Sequence, residues 1–75
     1  MVIESFSKVL RDIRLNRKLS QEKLAELSDL DRTYISLLER GLRQPTITTL
    51  FQICSALEIS PSEFVRQMEE SLNDR

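Results

Sequence analysis

With 75 residues, one cysteine and no histidine, the chain is long enough for one domain and excludes an intramolecular disulfide, a His-based zinc site and a Ser-His or Cys-His catalytic pair. No apolar run is long enough to span a bilayer, and the opening MVIESFSK lacks the charged start and apolar stretch of a signal peptide, so a cytoplasmic protein that is not an enzyme is expected. Its 11 Lys and Arg against 12 Asp and Glu give a net charge of −1 and a pI of about 5.4, which at first sight speaks against a nucleic-acid partner.

The first helix is predicted over 5–16, where Phe6, Val9, Leu10 and Ile13 form one apolar stripe and Lys8, Arg11 and Asp12 occupy the other face. Residues 21–40, QEKLAELSDLDRTYISLLER, predict two short amphipathic helices joined by a tight turn. Leu24, Ala25 and Leu27 mark the inner face of the second helix, and Leu30, Ile35 and Leu38 that of the third. Ala25 is small, as a close helix crossing requires. Ser20 and Asp31 are the expected N-caps. Gly41, the only glycine, ends the third helix. A loop with Arg43 and Gln44 exposed follows.

Thr46 caps a fourth helix with apolar positions Ile47, Leu50, Phe51, Ile53, Cys54 and Leu57, a stripe wide enough to make this helix central. Cys54 within that stripe reads as a reduced, buried thiol, with a redox role as the alternative. Ser60, Pro61, Ser62 and Glu63 combine a capping box with proline at the first helical position, so the fifth helix begins there. It carries Phe64, Val65, Met68 and Leu72 to about residue 72, before a frayed polar tail, Asn73, Asp74 and Arg75. No strand alternation or internal repeat is visible. The expected architecture is all-α, a single domain of five helices.

Charge is unevenly spread. Residues 1–18 carry Lys8, Arg11, Arg14, Arg17 and Lys18 against Glu4 and Asp12, and residues 32–44 carry Arg32, Arg40 and Arg43 against Glu39. Residues 19–31 and 45–75 are each net negative. A folded chain can therefore be basic on one side and acidic on the other, which reopens DNA as a partner.

The stretch LSQEKLAELSDLDRTYISLLERGLRQPTITTLFQIC resembles the phage Cro/repressor-like helix-turn-helix family. Leu-Ser-Gln-Glu opens the second helix, Thr-Tyr-Ile-Ser lies in the third, Glu-Arg-Gly closes it, and Pro-Thr precedes the fourth. Within that family, the short length and the string Asp-Arg-Thr-Tyr-Ile-Ser are similar to the controller proteins of restriction-modification systems. The resemblance implies a lambda-repressor-like fold whose third helix enters the major groove of DNA. By position it gives Arg32, Thr33, Ser36 and Leu37 the base-facing role, and makes Gln21, Tyr34, Arg43, Gln44, Arg17 and Thr46 candidates for phosphate contact. Tyr34 packed at the edge of the helix pair, and Gln21 as a solvated first-turn residue, stay open as alternatives. It also implies a structural ion pair between Arg14 and Glu39, and sets Asp29 at a turn position where the family often has glycine, a left-handed conformation that aspartate tolerates better than most residues.

The function this implies is a transcription regulator that binds a pseudo-symmetric operator as a homodimer, with RNA polymerase left open as a further partner and no cofactor, small-molecule ligand or membrane. The dimer contact is expected from Ile59, Phe64, Val65, Met68 and Leu72, which exceed what one small core needs from a terminal helix. Phe64 and Val65 are not both expected to point into one core, so at least one of them, with Met68 or Leu72, should cross the two-fold axis. A protein-interaction module such as an antitoxin, using the same fold and the acidic C-terminal half, is the alternative.

Overall fold

A computed structural model describes residues 1–73 and contains five α-helices: α1 (Val2–Asn16), α2 (Gln21–Ser28), α3 (Arg32–Glu39), α4 (Ile47–Leu57) and α5 (Pro61–Asn73). The first helix starts earlier than its sequence suggests. Ser5, where the helix was expected to begin, sits inside α1, and its hydroxyl donates to the Met68 carbonyl of α5 at 2.9 Å. The stripe Phe6, Val9, Leu10 and Ile13 is buried as expected, and α1 lies along α5 with the Phe6 and Phe64 rings 5.3 Å apart at 42°. Ser7 ties the same helix to α3 by donating to the Leu38 carbonyl at 2.7 Å.

The second and third helices form the expected pair. Ser20 accepts the Lys23 amide at 2.9 Å and caps α2. Leu24 and Ala25 face inward, but Leu27 is 50% exposed. At 100° per residue Ser28 lies closer than Leu27 to the direction shared by Leu24 and Ala25. Ser28 takes the inner place, its hydroxyl satisfied by the Leu24 carbonyl at 2.7 Å. Asp29 has φ 58°, the left-handed turn its position required. Asp31 occupies the N-cap position of α3 with an extended backbone, but its side chain accepts no capping bond. Its charge still lies at the favourable end of the helix dipole. Ile35 and Leu38 are fully buried, whereas Leu30, half-buried in the turn, packs at the edge of the core.

Four helices end in the same way. A residue with positive φ, namely Lys18, Asp29, Gly41 or Glu58, is followed by an apolar residue whose amide bonds back five positions: Leu19 to Arg14, Leu30 to Ala25, Leu42 to Leu37 and Ile59 to Cys54, at 2.9–3.1 Å. These bonds satisfy carbonyls that a helix end would otherwise leave orphaned.

Thr46 caps α4 by accepting the Thr49 amide at 3.0 Å. That helix packs against α2 and α5 through Leu50, Ile53, Cys54 and Leu57. Burial pushes the Cys54 thiol up to about 11, so it stays protonated. Two members of the expected stripe leave the core: Ile47 is 71% exposed and Phe51 56%. Both lie on the flank of the helix, outside the arc that Leu50, Cys54 and Leu57 bury. Ser60 caps α5 by accepting the Glu63 amide at 3.1 Å. Asn73 is helical, not frayed, and the remainder of the expected tail, Asp74 and Arg75, lies outside the described residues. Among the described residues no helix is long and apolar enough to cross a membrane.

Candidate nucleic-acid interface

Helix α3 spends Ile35 and Leu38 on the core, which turns Arg32 and Thr33 fully outward and leaves Ser36 and Leu37 half-exposed beside them. The four predicted base-facing residues therefore share one face. Arg40, the C-cap of α3, falls one turn beyond Ser36 on that face and is exposed. The base-facing set read from the sequence did not include it, although it belongs to the basic run at 32–44.

The face is held from below by a buried ion pair. Arg14 of α1 donates through Nε and Nη2 to the two carboxylate oxygens of Glu39 in α3, at 2.5 and 2.9 Å. The two side chains are 9% and 3% exposed. Arg14 Nη1 also donates to the Leu19 carbonyl at 2.8 Å, so one guanidinium joins α1, the entry to α2 and the end of α3. Gln21 completes the cluster: its Nε2 donates to Glu39 Oε1 at 3.0 Å, and its Oε1 accepts from Arg32 Nη1 at 3.4 Å. Every buried polar side-chain atom described has a partner. Among the described residues no group of three or more His, Cys, Asp or Glu is placed to hold a metal ion.

Of the predicted phosphate contacts, Arg43 and Gln44 lie exposed on the loop after α3. The Arg43 guanidinium sits 5.7 Å from the centre of the Tyr34 ring, so the loop leans on the helix through a cation–π contact. Tyr34 is half-buried, with its ring packed on the edge of the core. Thr46 is exposed at the start of α4, and its hydroxyl is shared with Thr49. Arg17 is placed elsewhere. Its guanidinium donates to the Glu58 carbonyl at 3.1 Å and lies 3.8 Å from the Glu58 carboxylate, at the C-terminal end of α4. An 11-residue helix separates that end from Thr46, about 16 Å at 1.5 Å per residue. Arg17 and Thr46 thus stand toward opposite ends of α4.

Five exposed cations lack a carboxylate partner among the described residues: Arg11 on α1, Lys18 just after it, and Arg32, Arg40 and Arg43 in and after α3. Among the described residues no carboxylate lies within ion-pair distance of Arg32, Arg40 or Arg43, while Arg66 on α5 is paired with Glu63 and Glu70. Hydrogen bonds from Arg66 and Gln67 hold the Glu63 carboxyl down to about 2. The outward side of α3 thus carries unpaired arginines although the chain as a whole is net negative.

The expected dimer residues divide. Phe64 is 0% exposed and fully committed to its own chain's core, so it leaves the interface set. Ile59, Met68 and Leu72 are half-buried, the first two packed against the core. Val65 is 40% exposed and borders an apolar groove with Val2, Phe6, Ile47, Leu50 and Met68. Phe51 lies one helical turn beyond Ile47 on the same exposed flank of α4. Both read as core in the sequence, because their spacing also fits a core stripe.

Comparison with known proteins gives a consistent result. A helix-turn-helix family model matches residues 10–64. The chain is 43% identical over 61 residues to the control protein C.BamHI of Bacillus amyloliquefaciens, covering 80% of this chain and 75% of that one. The crystal structure of the wild-type restriction-modification controller protein C.Esp1396I superposes with a TM-score of 0.94 at 37% identity, covering 100% of this chain and 96% of the other. The C.Esp1396I tetramer in complex with its natural 35 base-pair operator matches with a TM-score of 0.88 at 40% identity, over 93% and 92% of the two chains.

Proposed function

This chain belongs to the helix-turn-helix family, and from that premise we propose that it is a sequence-specific DNA-binding transcription regulator of the restriction-modification controller type. The observation that carries the proposal is the outward face of α3, where Arg32, Thr33, Ser36 and Leu37 stand together and the nearby cations Arg32, Arg40 and Arg43 lack carboxylate partners among the described residues. A helix of this size fits the major groove, whose base pairs each show a distinct set of donors, acceptors and methyl groups.

In that groove Arg32 takes guanine O6 and N7 through a bidentate bond, Thr33 meets a thymine methyl or a base edge, Ser36 hydrogen-bonds, and Leu37 supplies apolar contact only. Arg43, Gln44, Thr46, Tyr34 and the newly placed Arg40 face the phosphates and fix the register. The chain acts as a homodimer through the apolar surface of Val2, Ile47, Phe51 and Val65, which sets two copies of α3 about one turn of B-DNA apart. It works in the cytoplasm without catalysis, and RNA polymerase is the partner through which a bound dimer acts on transcription.

Selection of duplexes from a randomised pool by the purified chain tests this reading. The expected result is a two-fold-symmetric consensus whose affinity falls steeply with salt. Failure to enrich any sequence overturns it.

A further inference from the structure

We infer that Leu37 is a specificity-determining residue that reads the C5-methyl group of a pyrimidine in the major groove. The inference rests on the DNA-reading role proposed for α3 and deepens it, by naming the group that an apolar side chain on that face recognises.

Leu37 is an apolar side chain that the fold does not use. It is half-exposed and, unlike the half-buried Leu30 and Tyr34, does not pack against the core. Ile35 and Leu38 set the inward direction of α3. At about 100° per residue Thr33 then points almost straight outward, and Leu37 lies about 40° to one side of it. Ser36 lies at a similar angle on the other side. The outermost position is thus flanked by a hydroxyl on one hand and an isobutyl group on the other. The backbone beneath Leu37 is fixed although α3 is short. The Leu42 amide donates to the Leu37 carbonyl at 2.9 Å, closing the helix end around Gly41, whose φ is 73°. Leucine also loses less rotamer freedom on making a contact than arginine or glutamine does.

The major-groove edges of the bases carry donors, acceptors and one apolar group, the C5-methyl of thymine. A leucine side chain has no polar atom. Set against an amino or carbonyl edge, it strips water from a group that it cannot bond, which costs free energy; set against a methyl, it buries apolar surface on both partners. Leu37 therefore discriminates twice, by gain at the methyl and by penalty elsewhere. Thr33 is the competitor for that methyl, but its hydroxyl gives it a polar bond to offer a base edge, whereas Leu37 has no other contact to make. The recognised group is the methyl rather than the base. Cytosine lacks it and gains it when methylated at C5, so cytosine at that base pair should bind better once methylated.

The test uses the duplex selected by the wild-type chain, with each thymine in turn replaced by uracil in both half-sites. This deletes the methyl and leaves every donor and acceptor in place. At one position the replacement should weaken binding by about three- to fivefold per half-site, the worth of burying one methyl group. At that position 5-methylcytosine should bind better than cytosine by a similar factor. Both differences should vanish in Leu37→Ala and in Leu37→Gln, two good helix formers at a half-exposed position, with circular dichroism checking that each variant folds. Thr33→Ser, which deletes only a methyl and keeps the hydroxyl, should retain both differences. If no uracil replacement changes affinity, or if the differences survive in the folded Leu37 variants, the inference is overturned while the selected consensus leaves the DNA reading in place. Loss of the differences in Thr33→Ser gives the methyl to Thr33 and also overturns it. If no duplex is selected, the DNA reading falls and takes the inference with it.

Discussion

Three side chains occupy a backbone conformation that glycine would hold without strain. Lys18, Asp29 and Glu58 each have φ 58°, and Gly41 has φ 73°. For a residue with a Cβ this region costs about 1–2 kcal/mol, so Lys18→Gly and Glu58→Gly should each raise stability by about 1 kcal/mol, read as a higher thermal midpoint. Gly41→Ala should lower it by a similar amount. The added Cβ meets only Ser7 Oγ at 3.5 Å, so that penalty comes from the backbone. Gly41 and Asp29 were legible in the sequence because glycine and aspartate advertise such turns; Lys18 and Glu58 were not, since their side chains carry no such signal. The base-facing arginine makes a second prediction at this scale. Arg32→Ala should lose sequence preference by about 1–3 kcal/mol with little loss on random DNA. Arg43→Ala should weaken binding to all duplexes and flatten the salt dependence. Titrations of both variants on selected and scrambled duplexes decide the matter, and an unchanged specificity ratio for Arg32→Ala removes that residue from the base-reading set.

Between elements, the recognition helix is fixed less by its own length than by what it is fastened to. Helix α3 has eight residues, too few to persist alone. Ile35 and Leu38 bury one face, the Ser7 hydroxyl holds the Leu38 carbonyl, and Arg14 clamps Glu39. Removing either member of that pair strands a buried charge, so Arg14→Ala and Glu39→Ala should each cost about 3 kcal/mol or more. The double variant should be milder than their sum. Simple additivity in a thermodynamic cycle would mean that the two side chains do not interact. At this scale the core stripes of α1 and α3 could be read from periodicity, whereas in α2 Ser28 takes the inner place expected of Leu27 and in α5 only Phe64 of the apolar set is buried. The apolar set of α4 was too wide for that. Six candidates shared one helix, and periodicity does not say which flank meets a neighbour, so Ile47 and Phe51 read as core while only Leu50, Ile53, Cys54 and Leu57 are buried.

For the molecule as a whole, the arginines in and after α3 and the proposed dimer surface draw on different elements. Three of the five unpaired cations among the described residues lie in and just after α3, and the acidic residues of α5 are partly neutralised by Arg66. Of the exposed apolar residues, Val2, Ile47 and Val65 line one groove and Phe51 lies one turn beyond Ile47, the surface proposed for the dimer contact. The sequence pointed to α5 for the dimer but overcounted there, because Phe64 is needed to meet Phe6 inside one chain. This difference makes the dimer contact testable. Phe51→Glu with Val65→Glu places charge only on side chains that are already 56% and 40% exposed, so the monomer fold should survive while association is lost. Phe64→Ala, by contrast, empties the core and should cost about 3–5 kcal/mol. The expected outcome in sedimentation is a folded monomer for the double variant and a dimer for the unmodified chain. The monomer should bind the selected duplex poorly, since one half-site supplies too few contacts and the fixed spacing of two recognition helices is gone. If the unmodified chain sediments as a monomer at micromolar concentration, both alone and on its duplex, the apolar surface has another purpose and the dimer mechanism fails.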